Sequence, residues 1–223
     1  WSAAGTYYVD MVCIQEGSSV AYDEARAIDI YVAPNKINYI YNPSFEVNVT
    51  DGWTISGATI TQDSSVSDFA YSGDKSAKIV ASGNWTFTTH TLPLEQGSYY
   101  TFSGLSKSTS PITITFVGFD SDGNETGHTD VYNFASMSSW THISSTDLVD
   151  ALNEPDVASY KIVISGTAGT YYFDCMQFER SVYATDYFDG SLPEQYGAVW
   201  HGTADNSPTS LYFSKLIKIP RIA

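Results

Sequence analysis

The stretch Ala168-Gly169-Thr170-Tyr171-Tyr172-Phe173-Asp174-Cys175-Met176-Gln177-Phe178-Glu179 decides how the rest of the chain is read. Nearly the same letters occur once before, as Ala4-Gly5-Thr6-Tyr7-Tyr8-Val9-Asp10. Both copies then run through an apolar stretch holding a lone cysteine and a glutamine, and stop at a glutamate: Met11 to Glu16 and Cys175 to Glu179. The separation, Ala4 to Ala168, is far too long for a solenoid unit and suits one β-rich domain. Tyr171 to Glu179 is therefore expected to be the closing strand of a complete domain. Residues 1–36 are expected to be the C-terminal remnant of a preceding similar module plus a linker, so that the chain samples a tandem array.

Composition agrees with a β fold. Seventeen Tyr, eleven Phe and five Trp favour strands over helices, and 43% apolar residues are enough for a real core. The formal net charge is −15, and ten scattered Lys and Arg form no basic stripe, which excludes nucleic acid as a partner. An acidic surface is compatible with neutral ligands and divalent cations. The two cysteines, Cys13 and Cys175, sit in equivalent strands of different domains and are expected to be free thiols. No apolar run approaches the roughly 20 residues a membrane span needs, so insertion into a membrane is not expected.

Along the chain, Ile28 to Val32 alternates like an edge strand, and Ala33-Pro34-Asn35-Lys36 breaks it at a domain boundary. From Ile37 onward short strands alternate with polar turns: Ile37 to Tyr41, Ala58 to Gln62, Ser76 to Ala81, Asn84 to His90, Tyr99 to Lys107 and Ile112 to Phe119. Val131 to Phe134, Trp140 to Ser145, Tyr160 to Ile164 and Tyr171 to Phe178 continue the series, and Leu148 to Leu152 reads as a short helical turn. Asp120-Ser121-Asp122-Gly123-Asn124 is a tight turn. The expectation is an all-β antiparallel sandwich over 37–180. Residues 181–223 are expected to be a connector to the next module, with their first aromatics packed back on the sandwich.

Four motifs resemble a known family: Asn42-Pro43-Ser44-Phe45-Glu46 with Gly52-Trp53, Tyr71 to Ala77, Leu94 to Phe102, and Tyr172 to Glu179. In this order they look like the family-four/family-nine carbohydrate-binding modules, jelly rolls of the galactose-binding-like type, and the resemblance covers about residues 37–180. Tyr187-Phe188-Asp189-Gly190 followed by Trp200-His201-Gly202-Thr203-Ala204 looks like the joints after such modules in bacteriophage tail proteins.

The family resemblance implies a structural calcium ion. Matching positions are Ser44 and Glu46, the loop from Gly73 to Ser76, and Asp174. Calcium takes six to eight oxygens, and a carboxylate in an apolar strand such as Asp174 must be paired, hydrogen-bonded or metal-bound. The alternatives for Asp174 are a solvent-exposed strand edge or a pair with Lys75. Sugar binding needs an exposed aromatic face and planar polar groups. Trp53 and Trp140 are expected in the core. Trp85, in a polar strand between Asn84 and Thr86, is the candidate stacking residue, with ordinary packing as the alternative. Tyr132, Asn133, His128 and Asp120 are further ligand-binding candidates, with Glu125 close by, and Trp200 is a candidate for an inter-module joint.

No nucleophile elbow, phosphate-cradling glycine loop or zinc spacing among His90, His128, His142 and His201 occurs, so no enzyme is expected. The functional expectation is a non-catalytic glycan-binding module of a phage tail or similar extracellular fibre. Its partners would be cell-surface or wall polysaccharide and neighbouring tail subunits, with avidity from repeated copies. The rival expectations are a structural spacer of the same fold without ligand, and an accessory module of a polysaccharide-degrading enzyme.

Overall fold

The computed structural model describes residues 36–64, 73–150, 152–192 and 197–211, all within one compact unit. The first copy of the repeat, with Asp10 and Cys13, the expected strand 28–32 and the tail beyond 211 lie outside the described residues. Among the described residues there are fourteen strands and no helix. They are β1 (Lys36–Asn38), β2 (Trp53–Ser56), β3 (Thr59–Asp63), β4 (Ser76–Ala81), β5 (Trp85–Thr89), β6 (Leu92–Pro93) and β7 (Tyr99–Ser108). The series continues with β8 (Ile112–Phe119), β9 (Glu125–Phe134), β10 (Met137–Leu148), β11 (Ser159–Gly166), β12 (Gly169–Arg180), β13 (Ala198–Trp200) and β14 (Thr209–Leu211).

Two sheets carry the sandwich. One is five-stranded, in the order β10-β7-β12-β4-β3; the other is six-stranded, β2-β5-β11-β8-β9, with β6 also on β11. Every pairing is antiparallel. The alternation in sequence becomes an inner apolar face on each sheet. In β8, Ile112, Ile114 and Phe116 are buried while Thr113, Thr115 and Val117 between them are not; β5 does the same with Trp85 and Phe87. Aromatic rings fill the layer: Trp53 stacks on Phe87 at 4.4 Å within one sheet, Tyr100 on Phe178 at 5.3 Å within the other, and Phe87 meets Phe173 across the core at 6.1 Å. This is the all-β sandwich expected from the sequence.

The quoted stretch is β12, a central strand between β7 and β4. Between Asp174 and Gln177 it takes three steps while its partner β7 takes two, from Leu105 to Ser103, so β12 carries a bulge with Cys175 at φ 53°. Beyond the bulge, Met176 and Phe178 point into the core in place of the odd-numbered residues. Glycine at position 104 makes room for this, because a Cβ there would stand 2.6 Å from Met176 Sδ. Asn38 then ties β1 to β12: its Nδ2 donates to Met176 O, and its Oδ1 accepts from Phe178 N and Ile40 N, each at 3.1 Å.

The sequence reading divides the chain at 180, but the described part of the tail stays on the sandwich. β14 pairs with β1 on one side and β13 on the other, forming a small third sheet. Residues 181–189 run as a strap over the outer face of the five-stranded sheet. Glu179 Oε1 accepts from Thr185 N at 2.8 Å, and Gln177 Oε1 from Phe188 N at 3.2 Å. β10 runs on to Leu148, and the single-turn backbone bond expected over 148–152 lies two residues later, where Glu154 N donates to Asp150 O four residues back.

Phe173 touches the rings of both Trp85 and Phe87 and is fully buried. Truncation to alanine would leave a cavity between the sheets, and Phe173→Ala is expected to lower unfolding stability by about 3–5 kcal/mol in urea titration. The His90 ring packs edge-on against Tyr41 at 4.4 Å, and burial holds its imidazole below the usual value, with the carbonyls of Gly52 and Tyr39 opposing in part. Below about pH 6.5 the unfolded chain takes up a proton that folded His90 resists, so stability should fall with pH from there. His90→Gln should flatten that slope in melting curves taken from pH 7.5 to 5.5; parallel profiles for the two proteins would show that His90 is not the cause.

Candidate functional site

The residues expected to hold sugar do not share a surface. Trp85 is only 2% exposed, with its ring against Tyr171 at 4.6 Å and Phe173 at 6.2 Å. The expectation of an exposed stacking face at Trp85 is therefore corrected: the alternation of β5 turns Thr86 and Thr88 outward and Trp85 inward. Tyr132 lies against Phe116 at 5.6 Å and donates to Thr146 O at 2.6 Å; burial, then Asp147 and Asp130, push its hydroxyl up to about 12. Asn133 faces outward on the other side of β9, where its Oδ1 accepts from Thr113 Oγ1 at 2.9 Å. Asp120 spends its carboxylate on its own turn, accepting from Asp122 N and Asn124 N at 2.9 and 2.8 Å. His128 stands elsewhere, at the seam described below.

The aromatic surface lies on the outer face of the five-stranded sheet. Tyr172 alternates with the buried Tyr171 and Phe173 and so points out. Trp140, expected in the core, is half-buried on the same face with its ring 6.2 Å from Tyr172 at 67°. The register places Lys78 of β4 and Lys107 of β7 on either side of Tyr172, and their ammonium groups stand 5.5 and 5.1 Å from its ring centre. Lys78 is also paired to Asp63 at 3.2 Å. The strap runs along another part of this face, where Thr185 and Tyr187 line a cleft with Ser103, Leu105, Cys175 and the exposed His142. The patch thus offers two half-buried aromatic rings beside two ammonium groups. Sequence reading missed it because three aromatics in a row conceal which one faces out; the alternation of the lysines on the neighbouring strands is the signal that finds it.

Of the expected calcium ligands, Glu46 and the Gly73 loop are in direct contact. The Glu46 carboxylate accepts from Asp74 N at 3.1 Å and Lys75 N at 2.8 Å. It fills the space of a Gly73 side chain, since a Cβ there would stand 2.2 Å from Glu46 Cδ, and Gly73 has φ 80°. Phe173 opposite Ala77 is the end pair of the β4–β12 ladder; Ser76, just before Ala77, and Asp174, just after Phe173, are both fully buried. Asp174 is at no solvent-exposed edge; its Oδ1 accepts from Cys175 N at 2.8 Å. Pro43 O accepts from Met176 N at 2.8 Å, which brings the segment of Ser44 to the bulge. Ser44 Oγ is buried and makes no hydrogen bond.

A second polar centre lies where β9, the edge of the six-stranded sheet, meets β10, the edge of the five-stranded one. His128 Nε2 is 2.8 Å from Asp130 Oδ2 and 3.6 Å from Asp147 Oδ2, while Nδ1 is 3.2 Å from Glu154 Oε1. The Tyr160 hydroxyl donates to Asp147 Oδ2, and its ring stacks on the imidazole at 5.9 Å. Asp147 is pushed up to about 6, first by burial and then by the charges of Asp130 and Glu154, against the hydrogen bond from Tyr160. Burial, then Asp147 and Glu154, also raise Tyr160. A sequence scan passes over this centre because its members come from three strands and a loop.

A family model described as "Carbohydrate binding domain" matches residues 37–149. No curated protein matches the chain. Among solved structures, the enzymatically active domain of tailspike protein 4 of bacteriophage CBA120 aligns at 19% identity and TM-score 0.53, over 63% of this chain and 21% of that one. The chain therefore spans about a fifth of that protein. A Stig cyclase, Fisc, from Fischerella sp. TAU aligns at 14% identity and TM-score 0.50, over 65% of this chain and 97% of that one. These likenesses are of fold.

Proposed function

Because the chain belongs to the carbohydrate binding domain family, we propose that it holds a polysaccharide against the open part of its five-stranded sheet, with Trp140 and Tyr172 as the stacking rings. The observation that carries this reading is the half-exposed pair of rings on the part of the five-stranded sheet's outer face that the strap leaves uncovered. Pyranose C–H groups pack on aromatic faces, while Lys78 and Lys107 donate to sugar hydroxyls and favour sugars bearing carboxylates. In a chain of net charge −15, two lysines beside one tyrosine make this face locally less acidic than the whole. The role is binding without catalysis.

The finer reading places the module on a phage tail or similar extracellular fibre, attaching it to host-surface glycan. The motifs around Tyr187–Gly190 and Trp200–Ala204, and the shared fold of a phage tailspike domain, support that placement. A spacer that carries only subunit contacts is the competing reading, and the strap over part of the face favours it. Affinity electrophoresis and calorimetry against envelope, wall and uronate-containing polysaccharides separate the two. Binding is expected in the wild type, with Trp140→Ala and Tyr172→Ala each weakening it by about tenfold while leaving the melting temperature nearly unchanged. Silence of the wild type against the whole panel would leave the spacer, and depolymerisation by the chain alone would overturn the non-catalytic reading.

We also propose a calcium ion held by Ser44, Glu46, Asp174 and the Gly73–Ser76 loop. Support comes from the donor chemistry: two carboxylates of separate segments and the buried, unpartnered Ser44 Oγ suit an oxygen-seeking cation. When bound, the ion supplies a cross-link between the first segment, the loop before β4 and the closing strand. Chelation is expected to lower the melting temperature by on the order of 5–10 °C if the ion is present at a hundred times its Kd beforehand. An unchanged melt, with no calcium found by elemental analysis, would rule the ion out.

A further inference from the structure

We infer that the seam between β9 and β10 is a transition-metal site, in which His128 Nε2, Asp130 and Asp147 ligate one divalent cation of the zinc class. The ligand atoms of these three side chains all lie within 4.8 Å of one another. A zinc ion about 2.0–2.2 Å from each nitrogen and oxygen needs donors roughly 3–3.6 Å apart, and the two separations from Nε2, 2.8 and 3.6 Å, bracket that range. Three protein donors leave a fourth position for water or for a ligand reaching the seam.

The groups behind the ligands are those a metal centre requires. Glu154 Oε1 faces Nδ1 at 3.2 Å, which holds the hydrogen of the imidazole on that nitrogen and leaves the Nε2 lone pair for the cation. Tyr160 donates to the Asp147 oxygen that faces the imidazole and fixes its direction. Charge argues in the same sense. Among the described residues, His128 is the one basic side chain within ion-pair reach of Asp130, Asp147 and Glu154, so three carboxylates surround a single imidazole. The side chains of Asp147 and Glu154 are 11% and 13% exposed, so solvent screens this surplus poorly, and a divalent cation would neutralise it. These groups are not a solvated acidic patch: an imidazole nitrogen stands at their centre, and nitrogen donors select zinc-class ions over calcium and magnesium, which take oxygen. The site is separate from the Glu46–Asp174 region and from the Trp140–Tyr172 face, and does not rest on either proposal.

Calorimetric titration of the metal-stripped chain with zinc chloride, in buffer containing excess calcium chloride, tests the inference without involving the other cation site. One ion per chain is expected in the micromolar range or tighter, together with a rise in melting temperature that excess calcium alone does not produce. His128→Gln and Asp147→Asn should abolish this saturable binding, and Glu154→Gln should weaken it by about tenfold to a hundredfold. Asp130→Asn, at the more exposed ligand, serves where a buried substitution compromises folding. Absence of saturable zinc binding to the wild type, or equal binding by correctly folded variants, would overturn the site. Glycan binding measured in the same variants should be unaffected, since none of these residues borders Trp140 or Tyr172.

Discussion

Two sheets with one apolar face each remain together only while large side chains fill the layer of about 10 Å between them. Here rings do the filling: Phe45, Trp53, Trp85, Phe87, Phe102, Phe116, Tyr160, Tyr171, Phe173 and Phe178 are all buried. A ring is broad and rigid, so a few residues per strand span the gap. The commitment of almost every inward position to packing has a functional corollary. Binding chemistry is left to outer faces and to the seams where sheet edges meet.

That division separates three places of different character. The outer face of the five-stranded sheet offers rings and ammonium groups, suited to sugar. The region of Ser44, Glu46 and Asp174 offers oxygen donors near the place where the chain enters and closes the sandwich. The β9–β10 seam adds nitrogen to oxygen, and its donors come from two strands that belong to different sheets. Each location follows from topology: a central strand, a closing bulge and a pair of facing edges.

The fold was legible because period-two alternation survives in nearly every strand. Ser76 to Ala81 and Ile112 to Phe119 read correctly to the residue. β9 was read short, as Val131 to Phe134, because Glu125 to Asp130 carries polar residues on both sides, its inner ones being the seam's own His128 and Asp130. The candidate site was legible only in its chemistry. Alternation groups Trp85 with Phe87 but does not say which side of the pair meets water; the choice is made by the opposite sheet, through Tyr171 and Phe173. Trp140 was misassigned for a related reason, since the register of β10 shifts between Met137 and Thr141. Tyr172 disappears between two core residues of its own type. Pairings across 138 or 140 residues, such as those of Asn38, leave no local trace at all.

The bulge at Cys175 means that β12 is read in two frames. Before it, even-numbered side chains look outward, and Tyr172 joins the open face; after it, odd-numbered ones do, and Gln177 and Glu179 grip the strap. One inserted residue thus lets a single strand serve two parts of one surface with opposite parity. Removing it would restore a regular ladder, yet it would turn Met176 and Phe178 out of the core or Tyr172 into it. Length in this strand is consequently more constrained than composition, and evolutionary change there should proceed by substitution rather than by insertion or loss.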